Sequence, residues 1–269
     1  AVKTIRDILV VDDEAVITRA VERVCSAEGL SVDVAASAEA ALSLLVRTGY
    51  RLIISDVMMA DIDGFAFLIE LRRRRIGTPV ILTTGMSTME NAVKALYSGA
   101  IDFVPKPFTA DELLPAVRRG LNYARLQDEA TAASTAARPA TLAYVPCPAK
   151  YHRLGYSSWV ALEGSGTVLV GVSDLFVKMI ETVERVTLGA VGDEVVQGSA
   201  CATIRSADGL DHGVPCPVSG RIVEANAGVA SAPLVMERDP YFEGWFYRVL
   251  PSELQYDLLH LTSCSSDRM

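Results

Sequence analysis

Five side chains carry chemistry that can be read directly from the sequence. Asp12 and Asp13 follow the apolar run Ile8-Leu9-Val10-Val11, and Asp56 follows Leu52-Ile53-Ile54-Ser55. Thr84 closes Val80-Ile81-Leu82-Thr83, and Lys106 lies just past Ile101–Val104. If these runs are parallel strands of one sheet, residues far apart in the chain meet at one rim, where open α/β sheets bind their ligands. Crowded carboxylates repel one another and so favour a bound divalent cation. Oxygen-only ligation suits Mg²⁺, which keeps several waters and bridges to phosphate. A carboxylate beside such an ion can attack a phosphoryl group, because the metal neutralises charge on the phosphoryl oxygens. The Lys106 ammonium can pair with one phosphoryl oxygen and the Thr84 hydroxyl can donate to another. A single acid at a strand end is more often a helix cap or a solvated loop residue. The combination of all five is what points to phosphoryl chemistry.

The elements that must position them are legible as alternating patterns. Glu14–Glu28 reads as a helix with Val16, Ala20, Val24 and Ala27 on one face, stopped by Gly29. Val32–Ala35 is a second strand and Ala38–Val46 a second helix. Phe65, Leu68 and Leu71 line a third helix, and Glu90–Ser98 forms a fourth. Thr109 and Glu112 have the spacing of a capping box and open a fifth helix, in which Pro115 removes a backbone donor and invites a kink. Continuous apolar runs mark strands buried on both faces. Five strands, each followed by a helix, predict a doubly wound five-stranded parallel sheet, an α/β fold.

Composition limits what else the chain does. Its 269 residues suggest two domains. Asp plus Glu number 33 against 25 Lys plus Arg, a formal net charge of −8, which argues against nucleic acid as partner. Arg72–Arg75 reads as the solvated end of the third helix, where cations suit the dipole, rather than as a nucleic-acid patch. No apolar run is long enough to span a membrane, and residues 1–6 lack a leader pattern. Five scattered cysteines without C-x-x-C fit reduced thiols and a cytoplasmic location. The expected organisation is a first domain at 1–125, a linker at 126–150 rich in small polar residues, a mostly β domain at 151–260 and a frayed tail at 261–269.

The first domain resembles the receiver domain of two-component response regulators. The resemblance rests on Ile8–Glu14, Ile53–Met59, Asp63-Gly64, Thr83-Thr84-Gly85 and Asp102–Phe108, in the family's order and spacing. It implies Asp56 as phosphoacceptor. It also implies Mg²⁺ held by Asp13, Asp56 and the Met58 backbone carbonyl, with Asp12 binding through water. Thr84 would be the switch hydroxyl, Phe103 the switch aromatic and Lys106 the phosphoryl-binding amine, followed by a cis peptide bond to Pro107. Ala60 stands where the family usually has proline. The face made by helix four, strand five and helix five is the family's usual surface for dimerisation and output.

The second domain resembles the H protein of the glycine cleavage system, a lipoyl-type carrier of barrel-sandwich architecture. Trp159–Asp174, Pro217–Gly220, Glu224–Asn226 and Asp239–Trp245 carry that resemblance. An H protein works through a lipoylated lysine a few residues before Pro-Val-Ser-Gly. Here Ile204–Gly213 contains no lysine, and none follows Lys178, so no lipoyl attachment and no lipoate are expected. Arg205 cannot replace it, because its guanidinium stays protonated. Asp208, Asp211 and His212 could bind a metal but read better as polar turn residues. Cys201 and Cys216 could pair under oxidation but read better as small buried hydrophobes, and Trp159, Trp245 and Phe246 as packing aromatics.

Together these readings predict a non-enzymatic response regulator, phosphorylated on Asp56 by a sensor histidine kinase or a histidine phosphotransfer protein. Its output would be contact with protein rather than DNA. Two alternatives stay open: a regulated accessory that docks on glycine-cleavage or lipoylation enzymes, and a constitutive scaffold with a vestigial receiver.

Overall fold

The computed structural model of the protein describes residues 4–60, 62–85, 88–135 and 144–268. The chain divides into two compact units, Ala1–Ser87 with Ala100–Ala132, and Thr88–Gly99 with Ala133–Met269.

The first unit is built on a parallel sheet of five strands: β1 (Thr4–Val11), β2 (Val32–Ala35), β3 (Thr48–Asp56), β4 (Val80–Thr84) and β5 (Asp102–Pro105), in the order β2-β1-β3-β4-β5. Ile8, Leu9, Leu52, Ile53 and Ile81 are wholly buried, as strands covered on both faces require. Helices α1 (Ala15–Ala27), α2 (Ala38–Arg47), α3 (Gly64–Arg73) and α5 (Ala110–Thr135) separate or follow the strands, while α4 (Met89–Tyr97), between β4 and β5 in sequence, is grouped with the second unit. Their starts are set by side chains. Ser37 caps α2 by accepting from Ala40 N–H, Asp63 caps α3 by accepting from Ala66 N–H, and Thr88 caps α4 by accepting from Asn91 N–H. At α5 the Glu112 carboxylate accepts from Thr109 N–H at 2.7 Å, the reciprocal half of a capping box. The doubly wound parallel sheet expected from the sequence is the fold observed.

Two expectations are corrected. Helix α5 runs to Thr135, so the first ten residues of the stretch expected as linker are helical. Small residues suggested a linker, but alanine is the best helix former and carries the turn onward. Pro115 lies inside this helix. The rest of the expected linker up to residue 143 lies outside the described residues. The tail is not simply frayed. β15 (Thr262–Ser263) pairs with β6 (His152–Leu154), and Cys264 is fully buried with its N–H on Tyr151 O. That pairing spans more than a hundred residues, so local composition could not reveal it.

The second unit is mostly β, as expected. A seven-stranded sheet runs β10-β13-β14-β8-β7-β6-β15, and a three-stranded sheet runs β12-β11-β9. The remaining ranges are β7 (Ser158–Leu162), β8 (Val168–Val172), β9 (Val183–Leu188), β10 (Glu194–Val195), β11 (Ala200–Ser206), β12 (Asp211–Pro215), β13 (Gly220–Ala225) and β14 (Trp245–Pro251). Four short helices, α6 (Asp174–Ile180), α7 (Ala227–Ser231), α8 (Val235–Arg238) and α9 (Leu254–Leu258), fill the connections. Trp159 anchors one core cluster with Cys147, Ala161, Tyr241 and Cys264, and its indole N–H donates to Val172 O at 2.9 Å. Trp159 and Phe246 are wholly buried packing residues; Trp245 is half-buried, with Arg248 stacked over its ring.

Candidate functional site

The sheet delivers the five side chains to one rim. Strand register sets Asp56 beside Thr83, and Val57 N–H bonds Thr83 O at 2.8 Å. The next crossing is fixed by Lys106 N–H on Thr84 O at 2.8 Å. Asp12 leaves β1 with its N–H on Ala35 O. Its Oδ1 accepts from Glu14 N–H at 2.9 Å, which turns the chain into α1. Below Asp56, α3 begins so close to the strand that a Cβ on Gly64 would lie 2.4 Å from Asp56 O and 2.9 Å from Val57 Cα. Only glycine permits that approach.

The result is a buried charge cluster. The Lys106 ammonium lies 2.7 Å from Asp12 Oδ2, 3.2 Å from Asp56 Oδ1 and 3.3 Å from Glu14 Oε1. Asp12 and Asp56 are almost fully buried, as is Thr84, whereas Asp13 is exposed. Ligand oxygens of Asp12, Asp13 and Asp56 all lie within 4.8 Å of one another, the one such potential metal-holding group among the described residues. Oxygens sharing one octahedral Mg²⁺ at about 2.1 Å sit roughly 3–4 Å apart, so small side-chain rotations bring this set onto an ion. Asp56 Oδ1 is buried without a hydrogen-bond donor. Lys106 is near enough for attraction but not in hydrogen-bonding geometry. A buried acceptor left in this way suits a cation ligand.

Burial pushes the Asp56 carboxyl above its ordinary range. Attraction to Lys106 opposes this, the neighbouring Asp12 charge adds to it, and the Met58 N–H works against it. Burial by itself would lower Lys106, but its close ion pairing with Asp12, then with Asp56, outweighs that and raises it. The lysine is therefore held as a cation.

Met58 has an exposed side chain, and Phe103 is half-buried on β5. The Lys106–Pro107 peptide bond is cis. Next to Phe103, the Asp102 carboxylate accepts from Phe103 N–H at 2.8 Å and from Arg119 Nε of α5 at 2.9 Å, tying β5 to α5. The sequence reading missed this pair, as it missed Glu14 and the packing role of Gly64. Arg73 and Arg74 pair with Glu70 at the end of α3.

Among the described residues of the second unit no metal-holding group is gathered. Asp211 pairs with Arg205 across the β11–β12 hairpin at 3.0 Å, while buried His212 shares its Nε2 with Ser206 Oγ at 2.9 Å. Ser206 also bonds Asp208. The hairpin turns through Gly209 at φ 84°, a left-handed conformation suited to glycine. Cys201 and Cys216 are free thiols. Cys201 Sγ donates to Val214 O at 3.5 Å, and the neighbouring Cys216 thiol together with burial holds the Cys201 thiol well above its usual range.

Residues 8–118 match the response regulator receiver domain family, and residues 150–265 match the glycine cleavage H-protein family. The chain is 37% identical over 111 residues to transcriptional regulatory protein TcrA of Mycobacterium tuberculosis (strain ATCC 25618 / H37Rv), covering 41% of this chain and 44% of that protein. It is 33% identical over 164 residues to transcriptional regulatory protein ZraR of Escherichia coli (strain K12), covering 61% and 36%. The chain thus spans less than half the length of either relative. Among solved structures, the Francisella response regulator 1452 receiver domain is 34% identical, covering 43% of this chain and 96% of that one, with a TM-score of 0.41. A glycine cleavage system H protein from Mycobacterium marinum is 29% identical, covering 39% and 87%, with a TM-score of 0.37.

Proposed function

From a response regulator receiver domain joined to a glycine cleavage H-protein-like domain, we propose a two-component response regulator that accepts phosphate on Asp56 and signals through its second domain by protein contact. The observation that carries this reading is the Lys106 ammonium, buried between Asp12 and Asp56 with Asp13 alongside. The partner is a sensor histidine kinase or a histidine phosphotransfer protein. A carboxylate oxygen of Asp56 attacks the phosphorus of its phosphohistidine. A P–O bond forms, the P–N bond breaks, and the imidazole leaves with the electron pair. Asp13, Asp56 and the Met58 carbonyl would hold Mg²⁺, with Asp12 through water. That ion supplies neutralisation of charge on the phosphoryl oxygens. Lys106 pairs with one phosphoryl oxygen and Thr84 donates to another, drawing β4 toward the group. Phe103 follows inward and changes the surface of β5 and α5, on which dimerisation or partner binding would depend.

The second domain is read as an output module without carrier chemistry, in a cytoplasmic, non-enzymatic protein. Supporting this, the hairpin tip holds Gly209 in a left-handed turn, and no lysine lies between Ile204 and Gly213. The acidic net charge of −8 supports protein rather than nucleic acid as its target. The retained H-protein scaffold favours one more specific partner class, the glycine-cleavage or lipoylation enzymes, tested by binding to those purified enzymes. The main reading is tested by incubating the full chain with acetyl phosphate and Mg²⁺ and measuring intact mass. One phosphoryl group gained by the native chain and none by Asp56→Asn is expected. No gain in the native chain refutes the reading.

A further inference from the structure

Glu14 is the third carboxylate on Lys106, and it differs from the other two. Its side chain is 62% exposed, against 2% for Asp12 and 3% for Asp56. Its Oε1 nevertheless accepts a hydrogen bond from Lys106 Nζ at 3.3 Å. Its backbone is pinned: the N–H is on Asp12 Oδ1, and the C=O accepts from Ile17 and Thr18 N–H at the start of α1. The side chain can therefore swing while the turn beneath it stays fixed. An ammonium has three N–H donors. Glu14 occupies one through a hydrogen bond, while Asp12 at 2.7 Å and Asp56 at 3.2 Å are ion-paired contacts.

We propose that Glu14 is a positioning residue, a displaceable latch that holds Lys106 in the unphosphorylated pocket and gives way when a phosphoryl group arrives. This rests on Asp56 as the phosphoacceptor. The order of strengths supports it. A solvent-exposed ion pair is weak. A phosphoryl group brings more charge and three strong acceptor oxygens. Lys106 keeps its buried ion pair with Asp12 and exchanges its outer partner. Until then, Glu14 occupies the donor that an incoming phosphodonor needs, and it covers the amine from solvent.

The test uses the full chain as wild type, Glu14→Gln and Glu14→Asp. Initial phosphorylation rates are measured against acetyl phosphate concentration at saturating Mg²⁺, with Mg²⁺ affinity measured separately by calorimetry. Glu14→Gln removes the charge; Glu14→Asp keeps it but shortens the reach to Lys106. Both variants are expected to lower the half-saturating acetyl phosphate concentration about two- to fivefold, the range set by an exposed ion pair. Their maximal rates should change less. Without metal or phosphodonor, both are expected to speed acylation of the Lys106 amine, mapped by peptide mass. If Glu14→Asp matches wild type while Glu14→Gln does not, bulk charge is responsible and the latch is refuted. Unchanged kinetics and acylation in both variants also refute it, provided wild type takes up phosphate. If wild type takes up none, the phosphoacceptor reading itself fails.

Discussion

Asp56→Asn should stabilise the first unit in the absence of divalent cations. Asp56 is 3% exposed, its Oδ1 has no hydrogen-bond donor, and burial raises its carboxyl above the ordinary range. A buried carboxylate without a donor costs about 1–3 kcal/mol or more, and Asn keeps the acceptor but removes the charge that makes the cost largest. Attraction to Lys106 at 3.2 Å offsets part of that cost, but Lys106 keeps its shorter contact to Asp12 in the variant. The expected net gain is about 1–2 kcal/mol, or roughly 5–10 °C in melting temperature for a domain of this size. The sign with pH follows from linkage. A carboxyl raised in the folded state weakens folding as pH rises through its folded value, so the variant's advantage grows with pH and is full above that value. It fades on acidification toward the unfolded value of about 4. Mg²⁺ at ten times its dissociation constant returns about 1.4 kcal/mol to the wild type and closes most of the gap. The assay is urea unfolding of the full chain in EDTA, followed by hydrogen exchange at the Ile53 and Ile54 amides. Trp159 and Trp245, both in the second unit, provide an internal control by fluorescence. A variant no more stable than wild type in EDTA would refute the argument that Asp56 is held at a cost.

Other substitutions separate packing from charge. Gly64→Ala forces a methyl into the Asp56 and Val57 backbone and should cost about 1–3 kcal/mol by urea unfolding, with slower phosphorylation of whatever remains folded. Arg119→Met strands Asp102 and should cost about 2–4 kcal/mol; restoring the charge with Lys should recover only part, because Lys lacks the planar fork. In the second unit, bonds from Arg248, then Thr167, hold the Glu163 carboxyl below its ordinary range. A lowered carboxyl stabilises above its unfolded value of about 4.3 and loses that contribution as pH falls through the folded one. Glu163→Gln should therefore cost about 1 kcal/mol at pH 7, allowing for partial solvent exposure, with thermal melts showing the difference shrink as pH falls below about 4.

How much of this was legible in the sequence depends on whether a feature is local. Ile8–Val11 and Leu52–Ser55 declared themselves because strands covered on both faces need unbroken apolar runs. The acids that follow them inherit their place from the sheet. Helix α6 is likewise local, started by Ser173, which accepts from Phe176 N–H. Long-range features stayed hidden. Arg119 meets Asp102 across seventeen positions, and the pinning of Cys264 depends on a strand at His152. Glu14 was visible as a third acid after Asp12-Asp13, but its reach to Lys106 is set by the turn that Asp12 imposes. The continuation of α5 was hidden by composition, since alanine, serine and threonine suit a linker and a helix alike.

The central claim is that the Asp56 carboxylate forms an acyl phosphate, and chemical trapping at that residue tests it most directly. After the full chain is treated with acetyl phosphate and Mg²⁺, borohydride reduction and peptide sequencing by mass spectrometry should find homoserine in place of Asp56, dependent on both reagents. Homoserine at another aspartate, or none in a chain that has gained phosphate, would contradict the account.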